Sequence, residues 1–116
     1  MQGKRLDRVN QLIKEEVSML LQRELKDPRL GFVTVTEVET SKDLRSAKIF
    51  VSVLGDDAQW KGSMAALESA RGFVRNWLRQ HLELRVTPEL DFRPDHSLEH
   101  AARIQSLLKQ VRAPGS

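Results

Sequence analysis

The chain has 116 residues, enough for one domain with a real core but too few for a second, catalytic domain beside it. It has no cysteine, which excludes disulfides, thiolate nucleophiles and cysteine-ligated zinc. A formal charge of +3 and a pI near 9.6 permit a polyanionic partner. With four Phe, two Trp and no Tyr, however, the chain is poorly equipped for a sheet that reads RNA by stacking.

Leu6, Val9, Leu12, Ile13, Val17, Leu20, Leu21 and Leu25 recur at spacings of three and four, which predicts an amphipathic helix from about Lys4 to Leu25. Asp27-Pro28 stops it, because proline restricts the residue before it and cannot extend the hydrogen-bond ladder. The run Phe32 to Val38 is rich in β-branched residues. After a polar break at Thr40-Ser41-Lys42-Asp43, Ala47, Ile49, Val51 and Val53 alternate with more polar positions, and the two runs read as an antiparallel hairpin. Gly55-Asp56-Asp57 ends the hairpin and supplies capping residues for the next helix.

From about Ala58 to Leu84 the periodicity is again helical. Trp60, Met64, Leu67, Val74, Leu78 and Leu82 share a face, and a straight helix would put Arg71 on that face as well. It would also place Gly72 mid-helix, at about 1 kcal/mol relative to alanine. Ala70-Arg71-Gly72 is therefore expected to be a kink dividing this stretch into two helices and freeing Arg71. The alternative is a straight helix from which the long Arg71 side chain snorkels to water. Val86 to Phe92 alternates as a third strand, with Pro88 favouring an edge or a strand start. A final helix capped by Ser97 carries Leu98, Ala101, Ile104, Leu107, Leu108 and Val111. The expected order is α-β-β-α-(kink)-α-β-α, a single α+β domain over residues 1–112 with helices packed on a three-stranded sheet. Residues 113–116 read as a flexible tail.

His96-Ser97-Leu98-Glu99-His100 matches the H-x-x-E-H pattern of a zinc peptidase. That chemistry needs both imidazoles on one helical face, a third ligand and a glutamate facing metal-bound water. Asp95 and Ser97 are capping residues, so His96 should precede the first turn, and no metal is expected. His81, beside Trp77 and Leu78, reads as a half-buried packing residue. Ser41-Lys42-Asp43 is turn chemistry rather than an acid/base set. Phosphate-cradling glycine motifs are missing, and no cofactor is expected.

The basic residues are the stronger lead. Arg71, Arg75 and Arg79 recur every four residues, so they line one side of a helix and can grip successive phosphates. Beyond the expected kink the only acid on that helix is Glu83, and Arg71 would stand at a new helix N-terminus that favours phosphate. Lys4, Arg5 and Arg8 form a second cluster, diluted by Asp7, Glu15 and Glu16; Lys42 with Arg45 forms a third.

The ordered stretches Arg5-Leu6-Asp7-Arg8-Val9, Leu25-Lys26-Asp27-Pro28-Arg29, Val33-Thr34-Val35-Thr36-Glu37-Val38 and Lys42-Asp43-Leu44 resemble the ribosome-binding factor A family. So do Ala47-Lys48-Ile49, Ala70-Arg71-Gly72-Phe73-Val74-Arg75, Leu84-Arg85-Val86-Thr87-Pro88-Glu89-Leu90-Asp91-Phe92 and Asp95-His96-Ser97. The resemblance runs from Arg5 to about Val111. It implies a type II KH-like fold in which a kink at A-x-G, here Ala70-Arg71-Gly72, replaces the G-x-x-G loop. It also implies a non-catalytic partner of the immature small ribosomal subunit that contacts its rRNA near the decoding region and assists late rRNA maturation, particularly in the cold. On this reading the protein is a cytoplasmic monomer with no membrane or small-molecule partner. A general KH-like module for other RNAs and a protein-interaction domain remain the other readings of the residues.

Overall fold

The computed structural model describes residues 2–112. Helix α1 (Gln2–Arg23) leads to strands β1 (Phe32–Thr40) and β2 (Ser46–Leu54), then helix α2 (Asp57–His81), strand β3 (Glu89–Pro94) and helix α3 (Ser97–Arg112). The expected tail, residues 113–116, lies outside the described residues. The sheet runs β1-β2-β3; β1 and β2 are antiparallel, and β3 lies parallel to β2. A parallel neighbour needs a crossover, and α2 provides it. This is the α+β, KH-like layout that the resemblance implies.

One apolar layer holds the fold. Ile13, Val17 and Leu20 of α1 meet Val35 and Val38 of β1, Ala47, Ile49 and Val51 of β2, and Leu90 and Phe92 of β3. Leu67, Val74 and Leu78 of α2 complete it. Each fully buried aliphatic side chain contributes about 1.5–3 kcal/mol relative to exposure. Ala47, Ile49, Val51 and Val53 of β2 point inward at every second position, with Ser52 also buried on the other face, whereas β1 buries Val35 and then Val38. A bulge between Val35 and Glu37 inserts the extra residue that turns both valines inward. The inserted Thr36 donates from Oγ1 to Phe50 O at 3.3 Å and to Asp95 Oδ2 at 2.6 Å, tying the bulge to the start of α3.

Asp56 and Gln59 cap α2 reciprocally: Gln59 N donates to Asp56 Oδ1 at 2.9 Å, and Asp56 N donates to Gln59 Oε1 at 2.8 Å. Contrary to the expected division at Ala70-Arg71-Gly72, α2 is one uninterrupted helix. The stripe passes through Ala70, which packs against the core, so Arg71 lies just beyond its edge with its side chain 49% exposed. A short alanine at the crossing removes the conflict that a break would have relieved. Gly72 faces open space, with nothing within 4 Å of where a Cβ would stand.

Two further expectations change. The third strand begins at Glu89 rather than Val86, and the buried Pro88 stands immediately before it. The apolar stripe of α3 is not core: Leu98, Ile104, Leu107 and Leu108 are each more than half exposed. The first turn of α3 is anchored, by Trp60 Nε1 donating to Glu99 Oε1 at 2.8 Å.

Candidate nucleic-acid interface

Arg71, Arg75 and Arg79 do share one side of α2, where with Gly72, Asn76, Thr87 and Glu89 they border a shallow depression of about 460 Å³. They are not equivalent. Arg75 turns onto the linker between α2 and β3, its Nε donating to Pro88 O at 3.2 Å and its Nη2 to Thr87 O at 3.0 Å. It therefore fixes the chain's entry into β3 and keeps only part of its fork for a ligand. Arg79 donates from Nη2 to Asn76 Oδ1 at 2.6 Å. Arg71 pairs with Glu68 at 3.3 Å, and Arg75 lies 3.5 Å from Glu89.

The expected lack of acidic competition is thus corrected: one glutamate comes from the preceding turn of the same helix and one from β3. Both pairs are exposed, and such pairs are worth only about 0–1 kcal/mol, so phosphate can displace them. The helix N-terminus expected at Arg71 is also absent. Arg71 stands inside a continuous helix whose amides are spent on the helical ladder.

The chain's ends and loops bring together a second group, whose members fall in separate clusters along the sequence. Thr40 N donates to the Asn10 side chain at 2.9 Å, holding the first half of α1 against the end of β1. Glu89 N donates to Arg45 O at 2.8 Å, and Ser46 pairs with Glu89, which sets the linker beside the β1–β2 loop. The result is a concavity of about 240 Å³ lined by Arg5, Leu6, Lys42, Asp43, Leu44, Arg85 and Val86. Lys4, Arg8 and Arg45 are exposed but do not line it.

Arg85 is not among the residues that spacing and charge single out, although Leu84-Arg85-Val86 belongs to a stretch that carries the resemblance. No local pattern marks it, because its neighbours in space lie about forty and eighty residues earlier in the chain. Asp43 is the one acid in this lining, and the loop engages it. It accepts from Ser41 Oγ at 2.7 Å and from Arg45 N at 3.1 Å. These bonds, the Ser41 hydroxyl foremost, hold its carboxyl below the usual carboxylate range.

The H-x-x-E-H residues take other duties. His96 O accepts from His100 N at 3.0 Å, which makes His96 the residue that opens α3. Both Glu99 oxygens are engaged, one by Trp60 and the other by His96 Nδ1 at 3.1 Å, and the His96 contact, with Trp60 second, lowers the Glu99 pKa. Among the described residues no group of three or more His, Asp or Glu side chains is placed to hold a metal. Nor, among those residues, is any helix long and apolar enough to cross a membrane. His81 proves exposed rather than half-buried, with its ring stacked on Trp77 at 3.9 Å between centroids.

Comparison with known proteins agrees with this architecture. The crystal structure of ribosome-binding factor A from Thermus thermophilus superposes with a TM-score of 0.69 at 27% identity, covering 77% of this chain and 94% of that one. A solution structure of a Thermotoga maritima protein, described as a putative ribosome binding factor A, gives 0.68 at 37% identity, covering 77% and 85%. A Thermus thermophilus ribosome binding factor A homology model fitted into a cryo-EM map of its 30S complex gives 0.63 at 28%, covering 74% and 90%. In sequence, the Halothermothrix orenii ribosome-binding factor A is 49% identical over 112 residues, 97% of this chain and 92% of its own length. The Desulfitobacterium hafniense protein is 50% identical over 108 residues, 93% and 86% of the two chains. With the family's sequence model matching residues 5–108, the chain belongs to the ribosome-binding factor A family.

Proposed function

We propose that this protein binds the small ribosomal subunit through its rRNA and assists late rRNA maturation as a non-catalytic, monomeric factor of the cytoplasm, with its greatest importance in the cold. The observation that carries the reading is the relative fitted into a 30S complex, whose fold matches 74% of this chain at 28% identity. The geometry supports the same partner. Two cation-lined depressions adjoin through the α2–β3 linker, Arg85 and Val86 bordering one and Thr87 the other. A phosphate backbone is the extended polyanion that such a surface suits. The way of acting that fits is steric: the domain occupies an rRNA junction until it has matured.

Co-sedimentation tests this directly. The protein should pellet with isolated small subunits in preference to large subunits and assembled ribosomes. Equal recovery with all three would make it a general RNA-binding module, and recovery with none would remove the ribosome from the account.

A further inference from the structure

We infer that the concavity between α1, the β1–β2 loop and the α2–β3 linker holds one unpaired RNA nucleotide, its phosphate between the cations and its base against an apolar wall. This rests on the rRNA-binding reading and assigns to a particular place the recognition of a single-stranded residue.

Three observations carry it. First, Arg5, Lys42 and Arg85 come from three separate elements, and among the described residues none of them forms an ion pair with a carboxylate. The arginines along α2 are all engaged by partners of their own. Unpaired like charges repel one another, and gathering them around a hollow is unfavourable unless an anion enters. Asp43 offsets only part of this charge: its carboxylate caps its own turn and forms no ion pair with any of the three, which leaves the hollow net positive.

Second, the wall between the cations is apolar. Leu6, Leu44 and Val86 line it, and Val86 is 41% exposed. Inorganic phosphate has no use for such a surface, whereas a base has an apolar face to lay on it. The hollow, about 240 Å³, is a small open concavity, with room for one phosphate and a base laid against its wall rather than for a run of stacked nucleotides.

Third, the loop is held in a conformation that side chains other than glycine rarely adopt. Leu44 has φ 63°, with its amide donating to Ser41 O at 2.9 Å while Ser46 N donates to Ser41 Oγ at 3.1 Å. A leucine kept in the left-handed region where glycine would sit without strain implies that its side chain is wanted there.

The test is an amide-resolved NMR titration of the full chain with adenosine 5′-monophosphate, adenosine and inorganic phosphate in parallel. The monophosphate should shift the amides of Leu44, Arg85 and Val86 saturably and bind about tenfold more tightly than either fragment. Lys42→Ala with Arg85→Ala should abolish the shifts and weaken binding to small subunits. Leu44→Gly, which relieves the backbone and keeps the turn, should preserve the response to phosphate and remove the advantage of the monophosphate. Equal affinity for phosphate and monophosphate would overturn the assignment of a nucleotide. Shifts confined to Arg71, Gly72 and Arg79 would overturn its location. Silence at Leu44 and Val86 while the unaltered chain still co-sediments with small subunits would sink this inference alone. Failure to co-sediment would sink the broader reading.

Discussion

Arg75 shows how one side chain can be aimed inward although its spacing marks it for a ligand. Its fork closes on the carbonyls of Thr87 and Pro88, so it sets the linker that carries Arg85. Arg75→Ala leaves both carbonyls to find other donors and should lower stability by about 1–3 kcal/mol in a denaturant melt. Arg75→Lys should recover only part, because an ammonium cannot reproduce the planar fork. A melt indistinguishable from the unaltered protein would show that the clamp is idle. Asp95 is a second such residue. Hydrogen bonds from Thr36 and then Ser97 hold its carboxyl below its ordinary value of 3.8. A carboxyl with a depressed folded pKa contributes stability fully above its unfolded value and loses it as pH falls through the folded one. The native protein should therefore weaken below about pH 4, and Asp95→Asn should flatten that acid limb. The same steepness in the variant would assign the limb to other carboxylates.

At the scale of elements, α2 is the instructive case. Its start, its cap and its buried stripe were legible in the sequence, because capping residues and 3.6-residue periodicity act locally, whereas it ends at His81 rather than at Leu84. The break was not there to be read: ideal wheel positions put Arg71 on the core, while in the fold Ala70 takes that place. Gly72 is then an exposed mid-helix glycine with open space around it. Gly72→Ala should raise stability by about 0.8–1 kcal/mol, since alanine is the better helix former and nothing obstructs its methyl. Gly72→Leu should also leave the fold intact but weaken subunit binding, because its side chain would fill the depression beside Arg71 and Arg75. Unaltered affinity in the leucine variant would show that RNA does not approach the helix there. In α3, amphipathicity misled in the opposite direction. A stripe marks a face that can be buried, and nothing local shows whether a partner element exists to cover it. Its exposed backbone should exchange hydrogen well before that of α2, whose buried face packs on the sheet.

For the whole molecule, the least legible features were those made by topology. The hairpin could be read because its strands are neighbours in sequence. The parallel pairing of β3 with β2 could not, since the crossover separates them, and it is this pairing that sets Arg85 beside Lys42. The outcome is a thin, elongated body of 59 × 40 × 19 Å. Its radius of gyration is 16.9 Å, against about 13 Å for a compact chain of this length. Along one part of it, Arg71 and Arg79 of α2, Arg85 of the linker and Lys42 of the loop border the two depressions. The central claim, that this surface grips rRNA phosphates of the small subunit, is tested most directly by the salt dependence of binding. Affinity for isolated small subunits should be measured across a salt series for the native chain and for a variant with Arg71, Arg79, Lys42 and Arg85 changed to alanine. Each phosphate that the variant no longer neutralises should flatten the slope of log affinity against log salt by roughly 0.7–0.9, so its slope should fall by about 3. An unchanged slope with an intact fold would contradict the claim.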